Sequence, residues 1–188
     1  HCWEGFHKHF LDSLAGAAYL AENARVAEVG SGAGFPSIPL AIVRSDLTFT
    51  LIESTGKKCS FLETAVKELG LRAQVLKMRA EDAGRTEGLR ESFDAVIARA
   101  VAPLAPLAEY CLPLVRVGGK MIAWKGSEDE TGSARRAVEV LGGEHLHTVK
   151  YELPEGYGAR MLVIADKKRA TPAAYPRGQG KERKNPIR

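Results

Sequence analysis

The sequence predicts an α/β domain with a mainly parallel sheet, closed by an antiparallel hairpin at its carboxyl end. Two patterns predict it. Short β-branched or apolar runs alternate with segments of helical period, the mark of strand–helix–strand units. The last two runs are joined by ELPEGYGARM (152–161), too short for the dozen or more residues of a parallel crossover, so they must form a hairpin. A chain of 188 residues is one domain's length and can bury a full core.

Strands are expected near 26–29, 48–52, 73–77, 95–98, 120–124, 147–151 and 161–165. Before the first, HKHFLDSLAGAAYL (7–20) is amphipathic, with Phe10, Leu11, Leu14 and Ala18 on the inward stripe. After the second, Leu62, Ala65, Val66 and Leu69 fall at i, i+3, i+4 and i+7, and Gly70 stops the pattern. After the fourth, Leu104, Leu107, Ala108, Cys111, Leu112 and Val115 repeat the spacing. Pro103 and Pro106 fit only at or before a first turn, and Pro113 predicts an early end to that helix.

Composition excludes several classes. No apolar run approaches the roughly 20 residues of a membrane span, and no basic-then-apolar leader precedes the domain. The reading is of a cytoplasmic protein acting as a monomer. Its opening, HCWEGF, lacks a methionine, so an upstream helical piece is expected to be missing. Cys2, Cys59 and Cys111 are an odd count without disulfide or zinc-like spacing, so no metal site is expected. Cys111 lies on the apolar stripe and is read as core. The net charge of +4 is uneven: residues 166–188 hold eight basic residues against two acids, a net +6, so the rest carries −2. Residues 1–166 are read as the domain. Residues 167–188, rich in Pro, Gly and Lys/Arg, are read as a flexible basic tail, either solvated or drawn to nucleic-acid phosphate.

The chemistry-bearing stretch is VAEVGSGAGFP (26–36). Its glycines, Gly30, Gly32 and Gly34, are spaced two and two, whereas a dinucleotide fingerprint needs G-x-G-x-x-G; Phe35 stands where the third glycine should be. No GK[ST] follows, so a Walker loop also fails. A pyrophosphate beside Glu28 would meet a like charge. S-adenosylmethionine carries no phosphate but has an ammonium and a sulfonium, which Glu28 can attract while the glycines let backbone N–H groups approach. An acid followed by Gly-x-Gly-x-Gly resembles motif I of the methyltransferases, and five parallel strands with a hairpin look like their seven-stranded, Rossmann-like class I sheet.

Other strand ends extend the site. Glu53, 25 positions after Glu28, can accept hydrogen bonds from both ribose hydroxyls of an adenosine ligand. In MRAEDA (78–83), Ala80 could leave room for adenine, while Glu81 or Asp82 could accept from its amino group. At the end of the fourth strand, neither the Asn/Asp-Pro-Pro-aromatic run of adenine amino methyltransferases nor the Pro-Cys of pyrimidine C5 enzymes is present. Arg99 stands there instead.

Together these residues resemble the small-subunit rRNA methyltransferase G family, also called glucose-inhibited division protein B. The resemblance rests on HFLDSL (9–14), VGSGAGFPSIPLAI (29–42), ESTGKKCSFL (53–62), RAED (79–82), ARAVAPL (98–104), AWKG (123–126) and the closing TPAAYPRGQGKERKNPI (171–187). It implies methyl transfer from S-adenosylmethionine to N7 of one guanosine of 16S rRNA, near the decoding centre, on rRNA or a small ribosomal subunit, leaving S-adenosylhomocysteine. It implies cofactor contacts at Gly30, Phe35, Ala80, Glu81 and Arg99; the chemistry of the residues adds Glu28, Gly32 and Glu53. Guanine N7 has an in-plane lone pair and no proton, so attack on a methyl needs alignment and no general base. Arg99 could bind guanine O6 or a phosphate, and Lys125, past the fifth strand, is either a phosphate ligand or a solvated lysine. His9 is read as a structural helix residue. Two rival readings are a methyltransferase of another RNA or a small metabolite, and a non-catalytic nucleotide- or RNA-binding module.

Overall fold

A computed structural model describes residues 2–99 and 101–188; Ala100, within the ARAVAPL run, lies outside them. Seven strands form one sheet: β1 (Arg25–Val29), β2 (Thr48–Glu53), β3 (Ala73–Lys77), β4 (Phe93–Arg99), β5 (Val115–Lys125), β6 (Gly143–Leu153) and β7 (Gly158–Lys167), in the order β3-β2-β1-β4-β5-β7-β6. The first five are mutually parallel, and β7 runs antiparallel to both β5 and β6. Strand order reverses between β1 and β4. In open α/β sheets, ligands bind beyond the carboxyl ends of the strands at this crevice.

Alternation along the buried strands sorts their side chains onto two faces. Ala27, Val29, Val96, Ala98, Met121 and Ala123 face one core with α5 (Leu104–Cys111) and α6 (Thr131–Val140). Val26, Phe49, Leu51, Ala95, Ile97 and Ile122 face the other, which holds Leu40 of α2 (Ser37–Val43) and Leu62 of α3 (Gly56–Glu68). Each fully buried Leu or Ile contributes about 1.5–3 kcal/mol, so both faces clamp the sheet. Cys111 is wholly buried and burial pushes its thiol up to about 12, as core packing requires. Pro113 has the effect expected of it: α5 stops at Cys111 and a 3-10 turn leads into β5.

Two expectations are corrected. Helix α1 (Cys2–Leu14) buries Asp12 and Ser13 most deeply, and Ala18 is exposed. The helix ends at Leu14, so its period does not extend to Ala18. Leu14 packs against the core as expected, and the helix docks through polar groups as well: the Trp124 indole N–H donates to the Asp12 carbonyl at 2.9 Å, and the Tyr151 hydroxyl donates to the Asp12 carboxylate. Gly16 then lets the chain lie on Trp124, whose ring a Cβ would meet at 2.3 Å.

The second correction concerns the carboxyl-terminal segment, which is anchored to the domain at several points although many of its side chains stay exposed. Lys167 belongs to β7 and is wholly buried, donating to the Leu112 and Val115 carbonyls and pairing with Glu91 at 3.0 Å. Burial lowers its pKa, and the Glu91 carboxylate opposes that shift. Beyond it, Arg90 donates to the carbonyls of Thr171 and Tyr175, and Arg85 to those of Ala174 and Pro176. Arg177 pairs with the buried Glu109 at 2.9 Å. Composition suggests a flexible tail, solvated or drawn to phosphate; donors 81–91 residues upstream and one acceptor 68 residues upstream hold it. Among the described residues no helix is long and apolar enough to cross a membrane.

Candidate functional site

The carboxyl ends of β1, β2, β3 and β4 surround a cavity of about 600 Å³. Its walls include Gly30, Glu53, Met78, Ala80, Glu81, Arg99 and Val101. A second cavity, of about 190 Å³, lies beyond β4 and β5 and is lined by Lys8, His9, Asp12, Arg99, Trp124, Lys125, Gly126 and Arg160. Arg99 lines both.

Gly30, Gly32 and Gly34 all take positive φ, at 67°, 53° and 88°. This is the left-handed region that glycine enters without strain. Gly30 is also pressed on Val101, whose Cγ2 a Cβ would meet at 2.7 Å. The loop's N–H groups, expected to face a ligand, are directed inward. Those of Gly30 and Ser31 donate to the Ile52 carbonyl, that of Gly32 donates to Glu53 Oε1 at 3.0 Å, and that of Gly34 donates to the Ser31 carbonyl. The glycines thus provide a tight turn and close approach rather than a row of free donors.

Glu53 closes β2 with its carboxylate at the cavity wall. Oε1 takes the Gly32 N–H and Oε2 the Thr55 N–H at 2.8 Å. Partial burial disfavours its charge, but these two backbone donors outweigh it and lower its pKa. Each carboxylate oxygen has two lone pairs; the two N–H groups and the Thr55 hydroxyl leave one of the four for a ligand hydroxyl.

Glu28 departs from its expected place. It is fully buried and does not line either cavity. Its oxygens accept the Ser37 N–H and hydroxyl, both at 2.9 Å, and so tie the loop to the start of α2. Burial pushes its carboxyl up to about 7 against the pull of Ser31, Ser37 and Arg99. Alternation is the reason: Glu28 shares the β1 face of Val26, which looks toward α2.

Phe35 also lies outside the large cavity. Its ring sits 5.8 Å from the Arg99 guanidinium carbon, beside His9 and Phe6. Arg99 donates through Nη2 to His9 Nδ1 at 2.7 Å and lies 3.6 Å from Asp12. Burial lowers the His9 pKa, and the Arg99 charge adds to that shift. His9 is therefore the neutral acceptor that Arg99 needs. Arg99 Nη1 is buried without a hydrogen-bond partner.

Lys125 is neither a solvated lysine nor a free cation. Its ammonium donates to the Ala102 carbonyl at 2.7 Å and pairs with Glu130 at 3.2 Å, fixing the chain after β4.

The chain can now be set against known proteins. Residues 3–157 match the family described as rRNA small subunit methyltransferase G. A ribosomal RNA small subunit methyltransferase G of Lactobacillus delbrueckii subsp. bulgaricus is 44% identical over 98% of this chain and 80% of its own length. One of Moorella thermoacetica is 46% identical over 98% and 79%.

The chain belongs to the rRNA small subunit methyltransferase G family.

It is an S-adenosylmethionine-dependent methyltransferase with the class I fold. A predicted O-methyltransferase of Agrobacterium tumefaciens superposes with a TM-score of 0.66 over 87% of this chain and 83% of that one, at 20% identity. TYW2 of M. jannaschii, solved in complex with AdoMet, gives 0.64 over 84% and 74%, at 16%. These two likenesses speak to the fold.

Sequence reasoning missed several groups in this methyltransferase. His9 and Asp12, three apart on one face of α1, were legible as a pair but not as partners of Arg99. Gly180 and Arg183, from the segment read as a tail, line the large cavity. No local signal marks them, because their place depends on distant anchors.

Proposed function

We propose that this methyltransferase transfers a methyl group from S-adenosylmethionine to N7 of one guanosine of 16S rRNA, in the loop near the decoding centre. The carrying observation is that Arg99 lines both cavities, so a donor at the ends of β1–β3 and an acceptor beyond β4 and β5 would meet at one side chain.

The residues fit the cofactor. Glu53 has a lone pair left for a ribose hydroxyl, and Ala80 leaves space beside an adenine whose amino group would donate to Glu81. Gly30 and Gly32 admit the methionine end closely. Glu28 acts from behind the loop: a cation placed there favours its ionised form. When bound, S-adenosylmethionine supplies a methyl on a sulfonium, and the departing sulfur keeps the bond's electron pair.

Guanine N7 contributes the lone pair for the new bond and loses no proton, so the chain needs no base. Its task is alignment and exclusion of water. The Nη1 donor of Arg99, buried, without a hydrogen bond and 3.6 Å from the Asp12 carboxylate, suits guanine O6 or an rRNA phosphate; a cation held against N7 itself would oppose the charge that builds there. Phe35, His9 and Asp12 hold the guanidinium in place, and Lys125 holds the chain beside it. Lys8 and Arg160 add positive charge to the acceptor cavity, which suits a phosphate backbone. Reaching a base in a folded RNA loop calls for local unstacking. A ribosomal RNA substrate suits a cytoplasmic reaction.

The test is methyl transfer from labelled S-adenosylmethionine to 16S rRNA, naked and within small subunits, isolated from cells lacking the mark. Transfer to rRNA supports the reading. Cofactor binding with transfer only to small molecules overturns the RNA assignment, and no cofactor binding overturns enzyme and substrate together.

A further inference from the structure

We propose that the carboxyl-terminal segment is part of the cofactor site, with Arg183 binding the adenine of S-adenosylmethionine. This rests on the large cavity being the cofactor site.

The segment is built into place. Residues 168–188 hold one regular helical turn, α7 (Lys181–Lys184). Ordering such a stretch costs roughly 1–2 kcal/mol per residue in backbone entropy, so anchors are required. Arg85 and Arg90 supply them at one end and the Arg177–Glu109 pair in the middle, and beyond it α7 packs on α5. Glu182 is fully buried and accepts the Gly178 N–H. Three of the anchoring residues, Arg85, Arg90 and Glu109, lie between β3 and β5 in sequence. They bring the segment to the wall formed by the chain after β3 and by α5.

At that wall Arg183 meets the cavity. Its Nη2 donates to the Val101 carbonyl at 2.6 Å, and it hydrogen-bonds the Tyr110 side chain. Tyr110 is buried on α5, lines the same cavity and lies within the field of Glu81. Arg183, Tyr110, Ala80 and Glu81 thus line one cavity, and the last two are where adenine is expected. Adenine offers a complementary set: an amino group for Glu81, and ring nitrogens that only accept. A guanidinium has five N–H donors and a flat face that stacks on rings. With two partners satisfied, Arg183 keeps donors for the ring. Because coupling is reciprocal, a segment that helps bind the cofactor must itself be held more firmly when the cofactor is present.

The experiment uses the full chain and S-adenosylhomocysteine as probe. Calorimetry compares wild type, Arg183→Ala, Arg183→Lys and a control at the neighbouring exposed Lys184, Lys184→Ala. Loss of hydrogen bonds to a charged group predicts about tenfold weaker binding or more for Arg183→Ala, with partial rescue by Arg183→Lys and no change for Lys184→Ala. Adenosine alone should weaken by a similar factor, which a general loosening of the methionine end would not produce. In the wild type, S-adenosylhomocysteine should slow amide exchange across 178–188, a reading that does not depend on how any variant folds. Equal affinity of wild type and Arg183→Ala overturns the proposal, as does exchange in 178–188 unchanged by bound probe. If wild type fails to bind the probe at all, the cofactor assignment falls first, and this one with it.

Discussion

At the ends of β1 and β2 the ionisable groups are carboxylates fixed by backbone and hydroxyl donors, whereas at the ends of β4 and β5 they are cations fixed by a carbonyl, two carboxylates and a neutral imidazole. Glu28 and Glu53 hold the glycine loop from behind and in front. Arg99 and Lys125 are held by His9, Asp12, Glu130 and the Ala102 carbonyl. The difference follows the two ligands: a sulfonium and ammonium on one side, a polyanion on the other. Each side fixes its own charge before a ligand arrives, so little reorganisation remains at the moment of transfer.

The contrast can be broken most sharply at Arg99. Arg99→Ala should lower the single-turnover methyl-transfer rate by about 100- to 1000-fold, the usual cost of one positioned donor, while S-adenosylhomocysteine affinity by calorimetry changes far less. Arg99→Lys should restore little, because the forked contact is lost.

Glu28 gives the next largest effect, on stability rather than rate. Its folded pKa, about 7, lies above its ordinary value of 4.5. Its contribution is therefore complete below pH 4.5 and is lost as pH rises through 7. At about 1.4 kcal/mol per unit, the loss is about 3 kcal/mol. Urea unfolding of wild type and Glu28→Gln across pH 4–8 should show this slope in the difference between the two proteins. A difference independent of pH would mean that Glu28 ionises freely.

Glu53 should act on the cofactor alone. Glu53→Gln leaves the Gly32 or Thr55 N–H without its acceptor and removes the charge, so cofactor affinity should fall about 10- to 100-fold with RNA affinity unchanged in a filter-binding assay. Lys125→Met is expected to be mildest: freeing the Ala102 carbonyl and Glu130 should cost about 1–3 kcal/mol of stability and raise the KM for RNA more than that for cofactor.

Much of this was legible in the sequence because strands announce themselves by local period. All seven were found, although β5, β6 and β7 extend several residues further than expected. Glu53 and Arg99 could be placed because a strand end fixes which loop a residue enters. Glu28 was assigned to the right loop but the wrong side, although its alternation with Val26 already put it on the α2 face. Lys125 looked free because Ala102 and Glu130, which hold it, are distant in sequence or marked by no pattern. The carboxyl-terminal segment was the least legible. Pro, Gly and basic residues describe a solvated chain equally well, and only the fold brings Arg85, Arg90 and Glu109 alongside it.

The most direct measurement is nucleoside mass spectrometry of 16S rRNA lacking the modification, after incubation with the protein and isotopically labelled S-adenosylmethionine. One labelled 7-methylguanosine per rRNA, confined to the loop near the decoding centre and abolished by Arg99→Ala, is the expected result. Label on another base, or rRNA left unlabelled while the protein binds cofactor, would contradict the assignment of guanine N7 as the acceptor.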